Sequence, residues 1–278
     1  MPLKTISLIL VAPAEPESAP AIRYALDLAS RCGAALNVRI GVPPLIVPDY
    51  PASPALLSMI QQENVELTRR SELTAGMIRQ EALGAGIIAQ IEILAQPYEP
   101  LVPHFSALAR LSDLCVAQAP PADAAQRLNA VVDVVIGGKA PTLLVPAAWG
   151  RRGAAAKAIV AWDGSASCAR AVRDALPLLG EVQTVEIVSV TGESGAQAGV
   201  PGADLAPFLA RHGAEVTTNL LPNGEGGVAG TVYAHAKMTR ADLVVMGAYG
   251  HSRFREFVLG GATRDALTNV AVPTLIAH

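Results

Sequence analysis

The feature that most constrains this chain is an imperfect internal repeat. Laying Ile9-Leu10-Val11-Ala12 over Ile159-Val160-Ala161-Trp162 and continuing brings strand over strand and helix over helix through both halves. In the first copy the pattern predicts strands near 4–12, 35–42, 87–95, 113–118 and 142–146, with helices near 18–32, 54–84, 98–110 and 122–137. In the second it predicts strands near 157–162, 183–190, 214–221, 242–247 and 272–277, with helices near 165–179, 203–212, 227–239 and 260–270. The strands are short, continuous apolar runs such as Asp113-Leu114-Cys115-Val116-Ala117 and Asp242-Leu243-Val244-Val245-Met246, as expected of parallel strands covered on both faces. Alternating strands and helices then require right-handed crossovers and a parallel sheet. The expected fold class is α/β, with two tandem doubly wound domains of flavodoxin or Rossmann type, each a five-stranded parallel sheet with helices on both faces.

At 278 residues the chain is long for one domain. The aperiodic stretch Ala147-Ala148-Trp149-Gly150-Arg151-Arg152-Gly153 divides it into expected domains at 1–147 and 157–278, with a linker at 148–156. Four prolines in Pro43-Pro44-Leu45-Ile46-Val47-Pro48-Asp49-Tyr50-Pro51 exclude regular structure after the second strand; this loop is a candidate lid. Hydrophobic residues make up 51%, yet no run approaches the ~20 residues that span a membrane. The start, Met1-Pro2-Leu3-Lys4 and an apolar run, imitates a short signal peptide. A similar run recurs inside the chain at Lys157-Ala158-Ile159-Val160-Ala161, so it reads as a strand. A net charge of -3 with scattered Lys and Arg argues against nucleic acid. Cys32, Cys115 and Cys168 are an odd number without CxxC spacing, which points to small core residues in a reducing, cytoplasmic setting.

The most informative stretch runs from Met246-Gly247-Ala248-Tyr249-Gly250-His251 to Gly260-Gly261-Ala262-Thr263. It opens on a predicted parallel strand and closes on a predicted helix start, where unpaired amides and the helix dipole favour an anion. Glycine at 247, 250, 260 and 261 lets backbone approach a ligand without an intervening Cβ. In a doubly wound sheet the ligand crevice lies at the carboxyl ends of the strands where connections reverse direction, here between the first and fourth strands. Asp163 ends the first strand of the second copy and Gly247 ends the fourth.

The spacing G-x2-G-x9-G, standing as Gly247, Gly250 and Gly260 before Val272-Pro273-Thr274-Leu275-Ile276, is similar to the nucleotide-binding signature of the ATP-binding branch of the universal stress proteins. The resemblance covers the second copy, and the first only as topology and a Val-Pro strand. It implies that Asp163 contacts a ribose, that backbone groups of Ala161 and Val190 flank an adenine, and that Gly250, Gly260 and Gly261 donate amides to phosphates. Thr263 would offer a hydroxyl to those phosphates or to Mg2+. The implied binding set is Ala161, Asp163, Val190, Met246, Gly247, Gly250, His251, Gly260, Gly261, Ala262 and Thr263, and the implied ligand is ATP, ADP or AMP. Gly261 stands where the family prefers Ser or Thr. The resemblance also implies antiparallel pairing of the last strands, Leu143-Leu144-Val145-Pro146 and Thr274-Leu275-Ile276-Ala277, in an intramolecular pseudo-dimer, with a further homodimer compatible.

Each of these residues also has a plainer reading. Asp163 fits an N-cap of the helix starting near Ser165, His251 a solvated loop residue, Arg253 and Arg255 a solvated flank, and Tyr249 and Trp162 simple packing. The cluster Gly224-Glu225-Gly226-Gly227-Val228-Ala229-Gly230 follows an edge strand and reads as a turn. His104, His212, His235 and His278 lack metal-ligand spacing. No paired nucleophile and base, HExxH motif or Walker lysine is present. The expected function is therefore a stress-response regulator or sensor that binds an adenine nucleotide, with slow hydrolysis at most and no assignable catalytic residue or protein partner. A nucleotide-dependent enzyme such as an adenylyl transferase and a ligand-free scaffold remain the alternatives. In the repeat alignment Asp163 is matched by Pro13, and Gly247 and Gly250 by Gln118 and Pro121, so one nucleotide per chain is expected.

Overall fold

The computed structural model describes residues 2–12, 20–47, 53–120, 134, 138–150, 155–191, 202–248, 267 and 269–277. The first half contributes β1 (Thr5–Val11), α1 (Pro20–Cys32), β2 (Ala35–Gly41), α2 (Pro54–Gly84), β3 (Ala89–Leu94), α3 (Tyr98–Arg110), β4 (Leu114–Gln118) and β5 (Thr142–Val145). The second contributes β6 (Lys157–Ala161), α4 (Ala166–Leu179), β7 (Thr184–Val190), α5 (Leu205–Arg211), β8 (Glu215–Leu221), α6 (Gly227–Met238), β9 (Leu243–Gly247) and β10 (Thr274–Ala277). The helices expected at 122–137 and 260–270 lie outside the described residues, except for the buried Val134 and Leu267 and for Asn269 and Val270, which are not helical, so the second helix ends before 269.

All ten strands form one sheet in the order β3-β2-β1-β4-β5-β10-β9-β6-β7-β8. Every neighbouring pair is parallel except β5 with β10, where Thr142 faces Ile276, Leu143 faces Leu275 and Leu144 faces Thr274. Leu143 and Leu275 sit at the centre of this symmetric pairing, and neither is exposed. Each half has the 3-2-1-4-5 order of a Rossmann unit. The first strand therefore lies against the fourth, as the position of the crevice requires.

Matching hydrogen bonds fix how the halves correspond. Asp113 Oδ2 accepts from the amides of Lys4 at 2.8 Å and Thr5 at 2.9 Å. Asp242 Oδ2 does the same for Ala156 at 2.9 Å and Lys157 at 3.2 Å. Thr142 and Thr274 hydroxyls each donate to the carbonyl two residues back. Thr5 thus corresponds to Lys157, which corrects the sequence alignment of the first strands by two residues. Asp163 is matched by Val11 rather than by Pro13. The slip was invisible in the sequence because a strand repeats every two residues, so a shift of two keeps every side chain on its face.

One face of the sheet carries a core that runs through both halves, from Ile22, Leu28 and Leu143 to Leu275, Ala171 and Val172. Arg31 of α1 reaches across to Glu181 beyond α4 while holding Asp27 at 3.1 Å. On the opposite face, separate cores lie with α6, through Val232 and Tyr233, and with α3, through Leu101 and Phe105. Cys115 and Cys168 are buried and Cys32 is partly so, all as free thiols. The 31-residue α2 starts with Pro54 and is capped by Ser53, whose side chain accepts from the Leu56 amide. Asn64 of α2 pins the described part of the proline loop, its side chain accepting from the Leu45 amide at 2.7 Å and donating to the Leu45 carbonyl at 3.2 Å. Among the described residues no helix is long and apolar enough to cross a membrane.

Candidate functional site

The crevice of the second half opens where β6 leaves the sheet. Its last paired residue is Ala161, opposite Val188. The Trp162 amide makes one more ladder bond to the Val188 carbonyl at 2.8 Å, and the chain then turns at Asp163-Gly164, with φ of 76° at Gly164. Glycine adopts that conformation without a Cβ penalty. Asp163 is exposed, and its Oδ1 accepts from the Ser165 amide at 2.8 Å, closing the turn. The N-cap of α4 is Ser165, whose hydroxyl accepts from the Cys168 amide at 3.1 Å. Asp163 therefore shapes the turn ahead of the cap and stands at the mouth of the crevice. Beneath it the Cys168 thiol donates to the Ala161 carbonyl at 2.7 Å. Burial, with the charge of Asp163 adding to it, pushes this thiol up to about 12, so it is a packing group at neutral pH.

The neighbouring strand runs further than β6. Ser189 and Val190 of β7 pair with Leu220 and Leu221 of β8, two residues past the last partner in β6. In a parallel ladder alternate residues turn their amide and carbonyl to alternate neighbours. The Val188 carbonyl faces β6, and the main chain of Val190 faces the same way. Regular continuation would join the Val190 amide to the Trp162 carbonyl. That carbonyl is instead taken at 2.8 Å by the Ser189 hydroxyl. Among the described residues the main-chain edge of Val190 that faces β6 has no ladder partner, and it lies beside Ala161 on the same face.

The first half fills the same place with its own chain. There β1 continues to Val11, paired with Gly41, the counterpart of Val190. The Ala12 amide bonds the Gly41 carbonyl at 2.8 Å. Phe105 packs over Gly41 so closely that a Cβ there would lie 2.6 Å from its ring.

Gly247 has a role that the sequence reading did not supply. A Cβ on it would lie 2.5 Å from the Cys168 nitrogen, 2.8 Å from the Ser167 carbonyl carbon and 2.9 Å from Cys168 Cα. The space that a Cβ would need is occupied by the first turn of α4, so glycine serves helix-on-strand packing there. Met246 is buried one residue earlier. Trp162 packs against the core of the opposite face, with its ring nitrogen buried and without a hydrogen-bond partner among the described residues. Gly226 and Gly227, with φ of 82° and 66°, form the turn between the edge strand β8 and α6, in keeping with the sequence reading of a turn. Tyr249, Gly250, His251, Arg253, Arg255, Gly260, Gly261, Ala262 and Thr263 lie outside the described residues.

Two features escaped the sequence reading. One is Ser189, indistinguishable in an apolar run from a small buried residue. The other is Glu186, whose carboxylate sits under the same face and accepts from Lys157 Nζ at 2.9 Å, His235 Nε2 at 2.8 Å and Asn219 Nδ2 at 3.2 Å. Burial works to raise this carboxyl, and the hydrogen bonds from Lys157, His235 and Asn219 outweigh it and hold it below the usual carboxylate range. A charge inside Val185-Glu186-Ile187-Val188 was the available signal.

Comparison with known proteins places these observations. The model of the universal stress protein family matches residues 156–278. Among solved structures, a universal stress protein from Archaeoglobus fulgidus DSM 4304 superposes with a TM-score of 0.67 at 14% identity, covering 98% of this chain and 95% of that one. A protein from Pseudomonas aeruginosa UCBPP-PA14 superposes at 0.57 and 13% identity, over 99% and 93%. At these identities the likeness is one of fold. No curated protein matches the chain.

Proposed function

Residues 156–278 match the model of the universal stress protein family, and on that premise we propose that the chain binds one adenine nucleotide, ATP, ADP or AMP, in the crevice of its second half. It acts as a stress-response regulator or sensor in the cytoplasm, with slow hydrolysis at most. The observation that carries this reading is the edge of Val190, without a ladder partner among the described residues, next to the exposed Asp163. One strand residue offers an amide donor and a carbonyl acceptor; adenine offers an amino donor beside ring-nitrogen acceptors. Asp163, exposed at the mouth, accepts from ribose hydroxyls. Val190 and Ala161 hold the base. The amides of Gly250, Gly260 and Gly261 take the phosphates, and Thr263 contributes a hydroxyl to them or to Mg2+. A bound nucleotide supplies phosphate charge and a rigid base, which this set of residues in the second half would hold.

The first half, within the proposed domain 1–147, serves as a packing partner for the proposed domain 157–278. Val11 replaces the carboxylate there, the Ala12 amide occupies the Gly41 carbonyl, and Phe105 lies against Gly41 where the second half has the Val190 side chain. Mass spectrometry of protein purified without added nucleotide tests the reading. Retained adenine nucleotide in the wild type, lost in a folded Gly260→Val variant, is the expected result. Equal retention by that variant would overturn the assigned phosphate loop.

A further inference from the structure

We infer that Ser189 is the positioning residue that keeps the base slot open, by occupying the carbonyl that would otherwise close it. This rests on the nucleotide reading above and adds a residue to it. In a regular parallel ladder Trp162, bonded through its amide to Val188, gives its carbonyl to the amide of Val190. Here the Ser189 hydroxyl holds that carbonyl at 2.8 Å, Ser189 is 8% exposed, and β6 ends at Ala161. The Trp162 carbonyl is satisfied and the Val190 amide stays available. The same bond ties β7 to the residue that precedes Asp163, fixing the carboxylate relative to Val190.

The first half supplies the comparison within one molecule. The register places Ile40 opposite Leu10, where Ser189 would stand opposite Trp162. Isoleucine has no hydroxyl. There β1 stays in the sheet through Val11, and the next amide, of Ala12, bonds Gly41. The same topology, without the serine, closes its own slot.

The test uses the full chain and three proteins: wild type, Ser189→Ala and Ser189→Thr. Backbone amide exchange without nucleotide reads the slot itself. The Val190 amide exchanges fast in wild type and Ser189→Thr and becomes protected in Ser189→Ala, where it pairs with the Trp162 carbonyl. Calorimetry with ATP then gives a loss of about tenfold for Ser189→Ala, the size of one exchanged hydrogen bond, and affinity within about threefold for Ser189→Thr. Tripolyphosphate, which lacks a base, binds all three alike. A protected Val190 amide in the wild type overturns the inference even if the alanine variant fails to fold. So does undiminished ATP binding by a folded Ser189→Ala, or a matching loss of tripolyphosphate affinity, which would mark general damage. Wild type that binds tripolyphosphate but not ATP overturns the nucleotide reading instead.

Discussion

Substituting Gly247 by alanine separates packing from ligand binding. The new Cβ would sit 2.5 Å from the Cys168 nitrogen, and ordinary contact begins near 3.4 Å, so 3.4 − 2.5 gives a required retreat of 0.9 Å. All three atoms in the way belong to the backbone of α4, so no rotamer change relieves the clash. Overpacking of this kind costs about 1–3 kcal/mol. The displaced turn also carries the Ser165 cap, worth about 1 kcal/mol. Alanine restricts the unfolded chain and returns about 0.5 kcal/mol. The net loss is about 2 kcal/mol, or about 4–8 °C in melting temperature for a chain of this size. Urea and thermal denaturation of nucleotide-free protein measure it. If Gly247→Ala matches the wild type within about 0.5 kcal/mol, α4 does not rest on β9 as described and the glycine serves only a ligand.

Gly76, inside α2 with nothing within 4 Å of an added Cβ, should gain about 0.5–1 kcal/mol on mutation to alanine, read as a higher urea midpoint. Leu143→Ala, at the centre of the β5 and β10 pairing, should cost about 2–5 kcal/mol, and because the core on that face is shared unfolding should remain a single transition; two separated transitions would contradict a common core. Glu186→Gln should cost about 1–2 kcal/mol at pH 7, since it removes the charge that accepts from the part-exposed Lys157 and from His235. The folded-state carboxyl lies below its unfolded value, so this contribution is complete above about pH 4.3 and fades as pH falls through the folded value. Urea midpoints at pH 7 and pH 3.5 should show the gap between wild type and variant narrowing; a constant gap would show that the carboxylate charge is not what stabilises the cluster.

The described elements were legible because local period and topology agree: short apolar runs such as Leu243–Gly247, bounded by turn residues and alternating with helices, fit buried parallel strands, and that places Asp163 and Gly247 at adjoining strand ends. What stayed hidden depends on distances between separate segments. The two-residue slip at Val11 preserves every face. Gly247 looks the same in sequence whether a phosphate or the backbone of Cys168 lies against it. Glu186 and His235 are 49 residues apart, and no local pattern joins them. Ser189 gains its meaning only from the carbonyl of Trp162, 27 residues away, which its hydroxyl holds.

Calorimetric titration of monodisperse, nucleotide-stripped protein with ATP bears most directly on the binding of nucleotide by the second half. The expected stoichiometry is one per chain, abolished by Gly250→Val and unaffected by Val11→Ala in the first half. Two equivalent sites per chain, or none, would contradict it.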